Sequence, residues 1–226
     1  MTIERLRPAI VEGLGTGLLL FVIVGSGITA ERLSSDPGLQ LVLHAVAVGS
    51  GIAVLIAVLA GVSGAHFNPA VTVGFWRRGT IDTPTALAYA TAQLTGAFVG
   101  VGLASLVGGE SLFASSSAGR ATGPAAAGEL IGTFFLVLAI LVLANQDRKM
   151  WIPAAVGGWV TAMILATPSG GLLNPAATLA RTLTDTYTAI APPAAVVFAV
   201  AQLLAAMAAV PLSRRLVPVP ELKGTS

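Results

Sequence analysis

SGAHFNPAVT (residues 63–72) and SGGLLNPAAT (residues 169–178) are two versions of one phrase. Each places Asn-Pro-Ala behind a Ser-Gly turn and ahead of a short apolar run. Asn is a favoured helix N-cap, and Pro is tolerated at the first helical position. The spacing therefore predicts helices that open at Asn68-Pro69-Ala70 and at Asn174-Pro175-Ala176. The runs Asn68 to Arg77 and Asn174 to Leu183 are each about 15 Å long as helix, at 1.5 Å per residue. That is half the thickness of a hydrocarbon core of about 30 Å.

The rest of the chain is made for that core. Of its 226 residues 55% are hydrophobic and only 10% charged, against about 25% charged in an average soluble domain. The mean hydropathy is +0.87. A net charge of +2 gives no reason to expect nucleic acid, and the absence of Cys excludes disulfides, thiolate metal sites and Cys nucleophiles. Six stretches are long and apolar enough to span a bilayer: Pro8 to Ala30, Leu41 to Leu59, Thr85 to Val107, Pro124 to Ala144, Met150 to Thr167 and Thr188 to Leu212. The run near the N-terminus lacks a cleavage site and is read as a retained span. The longest connection, GGESLFASSSAGRATG (108–123), reads as a loop.

A second echo pairs EGLGT (12–16) with ELIGT (129–133). The chain then divides into a first repeat, residues 1–115, and a second, residues 116–226, within a single domain of residues 1–226. Each repeat has three spans and one half-helix. Three is odd, so the second repeat enters the membrane from the opposite side. Inverted repeats of this kind place broken helices and solute sites near the midplane. With six spans, Arg5, Arg7, Arg77, Arg78, Arg148, Lys149, Arg214, Arg215 and Lys223 fall on one side, and Arg32, Arg120 and Arg181 on the other. The positive-inside rule puts both termini in the cytoplasm.

Half-helices entering from opposite sides should meet at the membrane centre by their N-termini, which carry partial positive charge and unpaired N–H groups. Non-helical backbone at that depth must be buried in protein or line a watery cavity. Converging amides and dipoles of this sign suit a neutral solute with oxygen acceptors and repel cations, protons included. A lone Asn-Pro pair is no more than a cap; two in matching positions are a site.

These paired motifs resemble the signature of the aquaporin, or major intrinsic protein, family, and the resemblance covers nearly the whole chain. It implies an all-α membrane protein: a right-handed bundle of six transmembrane helices and two re-entrant half-helices. It further implies a homotetramer with one pore per subunit, in the inner membrane of a bacterium. Transport would be passive diffusion of water and small neutral solutes, with no enzyme activity, cofactor, metal or nucleic-acid partner.

One departure stands out. Most members of the family carry Arg immediately after the second Asn-Pro-Ala, at the outer constriction; here that residue is Ala177. Counting without gaps from the two motifs assigns the other filter positions to Val48, Ala162 and Gly171. All four are small, and none has a side-chain donor, so the resemblance implies a wide filter without arginine. Such a filter suits glycerol, urea or metalloid hydroxides such as arsenous acid, as in arsenite-channel-like and aquaglyceroporin-like members. Arg181, one turn beyond Ala177, either restores the charge or, the preferred expectation, steadies the end of its helix. His66 is placed in the vestibule before the first motif. His44 is placed at the outer mouth, either adding polarity or facing a neighbouring helix.

Glu12 and Glu129 lie inside spans, where ionisable groups are expensive and usually functional. Their symmetry, and the resemblance, favour buried acceptors for the backbone N–H groups of the re-entrant loops over a proton relay. Alternatives are a strictly water-selective aquaporin and an ion-coupled secondary transporter. The transporter would have only these two acids to serve as ion ligands. No nucleophile–base pair supports an enzyme.

Overall fold

The structure is a computed structural model that describes residues 3–116 and 123–217. Arg120 and Lys223, both used in the charge count above, lie outside the described residues. Among the described residues eight α-helices follow one another: α1 (Ile3–Leu33), α2 (Pro37–Ser63), α3 (Pro69–Arg78), α4 (Thr83–Gly108), α5 (Gly123–Asn145), α6 (Ile152–Ala166), α7 (Pro175–Ala180) and α8 (Pro192–Leu216). Short 3₁₀ turns at Lys149–Trp151 and Arg181–Leu183 precede α6 and follow α7. All but α3 and α7 are long and apolar enough to cross a membrane, α6 together with the turn before it.

Local chemistry fixes the helix ends. Asp36 and Asp82 cap α2 and α4, accepting from the amides of Leu39 at 3.0 Å and Thr85 at 2.9 Å, with Pro in the first turn of each helix. The last span begins at Pro192 rather than Thr188. Residues 184–190 form no α-helix and instead lie as a strap behind α7. The Pro192-Pro193 pair starts α8, because residues before Pro are pushed out of the helical region.

Glycine sets how closely the helices cross. A Cβ on Gly96 or Gly100 would strike the backbone carbonyl of Gly13 or Gly17, so α1 and α4 touch main chain to main chain. A matching crossing joins α2 to α6, where a Cβ on Gly157 would come within 2.5 Å of the Gly49 carbonyl oxygen. Small residues allow such approach where no hydrophobic force drives helices together in lipid. The Leu, Val and Ile side chains on the bundle's outer faces, such as Ile10, Val54, Leu106, Ile131 and Leu204, are exposed. That is where a bilayer would cover them.

The polar ends of the bundle separate cleanly. At one end, which we call near, the guanidinium of Arg78 donates to Ser213 Oγ at 2.8 Å, and Arg214 donates to the Arg77 carbonyl at 3.2 Å. At the other, far end, Arg32 pairs with Glu110 at 2.9 Å, and the Ser116 amide donates to the Thr182 carbonyl at 3.1 Å.

Candidate functional site

The two Asn-Pro-Ala motifs meet. Each Asn does two jobs with its two ends. The Oδ1 of Asn68 caps its own helix, accepting from Ala70 N at 2.8 Å, and that of Asn174 accepts from Ala176 N at 3.0 Å and Ala177 N at 3.3 Å. The Nδ2 atoms cross between the repeats. Asn68 donates to the Leu173 carbonyl at 2.7 Å, and Asn174 donates to the Phe67 carbonyl at 2.8 Å. An amide NH₂ has two hydrogens, and each of these bonds uses one. The backbone before each motif is unusual: Ala65, Phe67 and Leu173 have φ of 51°, 47° and 50°. Side-chain-bearing residues rarely adopt that region, and it persists only where the surroundings impose it.

What imposes it is a pair of buried acids. Glu12 Oε1 accepts from Ser63 Oγ at 2.6 Å and His66 N at 2.9 Å, while Oε2 accepts from Phe67 N at 2.6 Å and Gln93 Nε2 at 2.8 Å. Glu129 repeats the pattern. Its two oxygens accept from Leu172 N at 2.9 Å and Leu173 N at 2.8 Å, and Oε2 also accepts from Gln202 Nε2 at 2.6 Å. Each Gln bridges onward to a half-helix Thr, Gln93 to Thr72 at 3.0 Å and Gln202 to Thr178 at 2.9 Å. Both acids are fully buried. A buried carboxylate is tolerable when its lone pairs are filled in this way. Gln93 and Gln202 are absent from the sequence reading, although AQL recurs at 92–94 and 201–203.

Two cavities run from the crossed amides toward opposite ends of the bundle. The far one, of about 30 Å³, is lined by His44, Val48, Asn68, Asn174, Gly171, Ala177 and Arg181, among others. The near one, of about 50 Å³, is lined by His66, Asn68, Ala65 and Phe75, among others. Ile52, Asn68 and Leu136 border both, so the two cavities share a waist at the midplane. Their walls are stripes at i, i+4 spacing: His44, Val48, Ile52 and Ile56 on α2, and Ile152, Val156, Val160 and Ile164 on α6.

The α6 stripe corrects one assigned filter residue. Ala162 is exposed on the outer face of α6, and Val160 and Ile164 occupy the wall instead. Two residues along a helix turn it by about 200°, so a gapless count that errs by two lands on the opposite face. The wall here is branched and bulkier than alanine. Gly171 does border the cavity, but its size has a backbone cause. Its φ is +57°, and a Cβ would come within 2.5 Å of the Met163 carbonyl carbon.

Arg181 and His44 both border the far cavity. Position 177 has no arginine, but the cavity does: Arg181 is only 4% exposed and lines it, with Nε donating to the Thr188 carbonyl. Arg181 is the C-terminal cap of α7, where the preferred expectation put it, and its side chain also lines the cavity. His44, also 4% exposed, lines the same cavity, with Nδ1 2.9 Å from Ser26 Oγ. His66 stacks on Phe75 at 4.5 Å with Nδ1 3.1 Å from Thr72 Oγ1, at the wall of the near cavity.

Six apolar spans, two half-helices meeting by their caps and a narrow polar-waisted path define an integral membrane channel. The model of the major intrinsic protein family matches residues 1–168. Aquaglyceroporin AqpS of Rhizobium meliloti (strain 1021) is 40% identical over 209 residues, covering 92% of this chain and 89% of that protein. Aquaporin TIP2-1 of Arabidopsis thaliana is 36% identical over 186 residues, covering 77% and 74%. The X-ray structure of the aquaglyceroporin from Plasmodium falciparum superposes with a TM-score of 0.75 at 25% identity, covering 94% of this chain and 96% of that one. The chain belongs to the major intrinsic protein family, and like its relatives it is a passive channel, not an enzyme.

Proposed function

We propose that this chain conducts water and small uncharged polyols of glycerol size through the path between its two cavities. The observation that carries this reading is the reciprocal crossing of Asn68 and Asn174, with both residues at the cavity wall. A solute passing the waist meets amide hydrogens on one side and the aliphatic stripes of Ile52 and Leu136 on the other. Hydroxyl oxygens satisfy the first and a carbon skeleton tolerates the second. Kinship with two proteins named aquaglyceroporins supports the polyol. Arsenous acid, a neutral trihydroxide, is a further candidate on the same chemistry. The small far cavity, bordered by Val160, Ile164 and Arg181, favours a second reading as a stricter water channel.

Residues 1–115 and 116–226 act as inverted repeats in this reading. The matched sets Glu12–Gln93–Thr72 and Glu129–Gln202–Thr178 support that division. The assembly we propose is a homotetramer in a bacterial plasma membrane, with a lumen in each subunit and the near end cytoplasmic.

The test is stopped-flow permeability of proteoliposomes to water, glycerol, urea and arsenous acid. Ala177→Arg, which adds a long cation to the far cavity wall, should abolish glycerol flux before water flux. Equal glycerol flux in both proteins would remove the far cavity from the conducting path.

A further inference from the structure

His44 and Arg181 share a geometric relation to the expected constriction. His44 stands four residues before Val48 on α2, Arg181 four residues after Ala177, and both line the far cavity. The helix α2 runs from the far end inward, whereas α7 runs from the midplane outward. Both displacements therefore point toward the far end, by about 6 Å each, which is one helical turn.

The strap that follows α7 holds the two side chains in place. The Tyr187 ring lies edge-on to the His44 ring with centroids 5.8 Å apart. The next carbonyl, that of Thr188, accepts from Arg181 Nε, and Ile190 N donates to the Arg181 carbonyl at 3.2 Å. The hydroxyls of Thr184, Thr186 and Thr188 follow one another at 3.0 and 3.5 Å. On its outer side the strap is pinned to α1. Glu31 Oε2 accepts from Tyr187 N at 3.2 Å, and Gly27 is a seat where a Cβ would come 2.5 Å from Thr188 Cγ2.

We propose that the selectivity barrier of this channel has moved one helical turn outward. Arg181 supplies the fixed positive charge that bars cations, and His44 with Arg181 sets the size limit in place of residues 48 and 177. The proposal rests on the lumen being the solute path, as argued above. A guanidinium is charged at any working pH. At 4% exposure it sits at the wall of the far cavity. A positive wall of this kind excludes cations while neutral solutes pass. Loss of arginine at position 177 then leaves the filter relocated rather than open.

Purified full-length protein in proteoliposomes tests this, with water, glycerol and potential-driven proton flux measured on the same vesicles. Arg181→Ala should raise proton flux relative to water by about tenfold or more, and should raise the glycerol-to-water ratio. Arg181→Lys keeps the charge but not the planar fork, so it should still exclude protons while its glycerol-to-water ratio rises. If Arg181→Ala is not recovered folded, the glycerol-to-water ratio of Arg181→Lys decides. Wild-type ratios in the recovered variants would overturn the relocated barrier and leave the channel reading intact. Wild-type vesicles no more permeable than protein-free ones would overturn both.

Discussion

A carboxylate inside a bilayer survives only if donors fill its lone pairs, and at Glu129 a single side chain supplies one that the backbone does not. Gln202 Nε2 donates to Glu129 at 2.6 Å and to Thr178 at 2.9 Å, tying the acid to α7. Gln202→Leu removes both bonds at nearly constant volume. It should destabilise the channel by about 1–3 kcal/mol, the usual cost of leaving a buried polar group short of a partner. Thermal unfolding in detergent measures it. Gln93→Leu should behave alike, because Gln93 occupies the corresponding place beside Glu12 and Thr72. An unchanged melting temperature in both variants would mean that the acids hold the loops without help from the glutamines. The symmetric placing of Glu12 and Glu129 was readable from EGLGT and ELIGT. Their glutamine partners were not, since AQL is too short and too common an echo to stand out without the contact beside it.

At the scale of helices, glycine discriminates between contact and open surface. Gly100 lies where a Cβ would hit the Gly17 carbonyl, whereas Gly158 has nothing within 4 Å. Gly100→Ala should force α1 and α4 apart and cost about 1–3 kcal/mol, as overpacking does. Gly158→Ala should be neutral, or stabilising by up to about 1 kcal/mol from helix propensity. The same detergent unfolding assay separates them, and equal melting temperatures would deny the close crossing. The half-helices and spans were legible because caps, prolines and apolar length are local signals. The lumen face of α6 was not. In a soluble protein the apolar stripe marks the core, but here lipid outside and an aliphatic lumen wall inside ask for the same residues. Val156, Val160 and Ile164 face inward while Leu165 and Ala162 face outward, with no polarity difference to tell them apart. Counting from the Asn-Pro-Ala motif then fails by two residues. That Arg181 also borders the lumen was not legible either: the strap it bonds to lies in 184–190, whose last three residues read from sequence as the start of a span.

For the whole molecule, charge asymmetry predicts which way the channel faces. Arg77, Arg78 and Arg214 gather at the near end, close enough that Arg214 donates to the carbonyls of Arg77 and Arg78. Like charges so close repel one another. The positive-inside rule supplies the reason, because Lys and Arg in short loops resist translocation. By that rule the near end should be the cytoplasmic one. The absence of Cys makes the test clean, since any thiol label reports only the residue introduced. Thr80→Cys places one thiol at the exposed near-end turn after α3, and Ser35→Cys places one at the exposed far-end turn between α1 and α2. In intact cells a membrane-impermeant maleimide should label Ser35→Cys and spare Thr80→Cys until the membrane is broken. The opposite pattern would invert the topology. It would also turn the cavity lined by His44 and Arg181 toward the cytoplasm, so that solutes entering the cell would meet the arginine last rather than first.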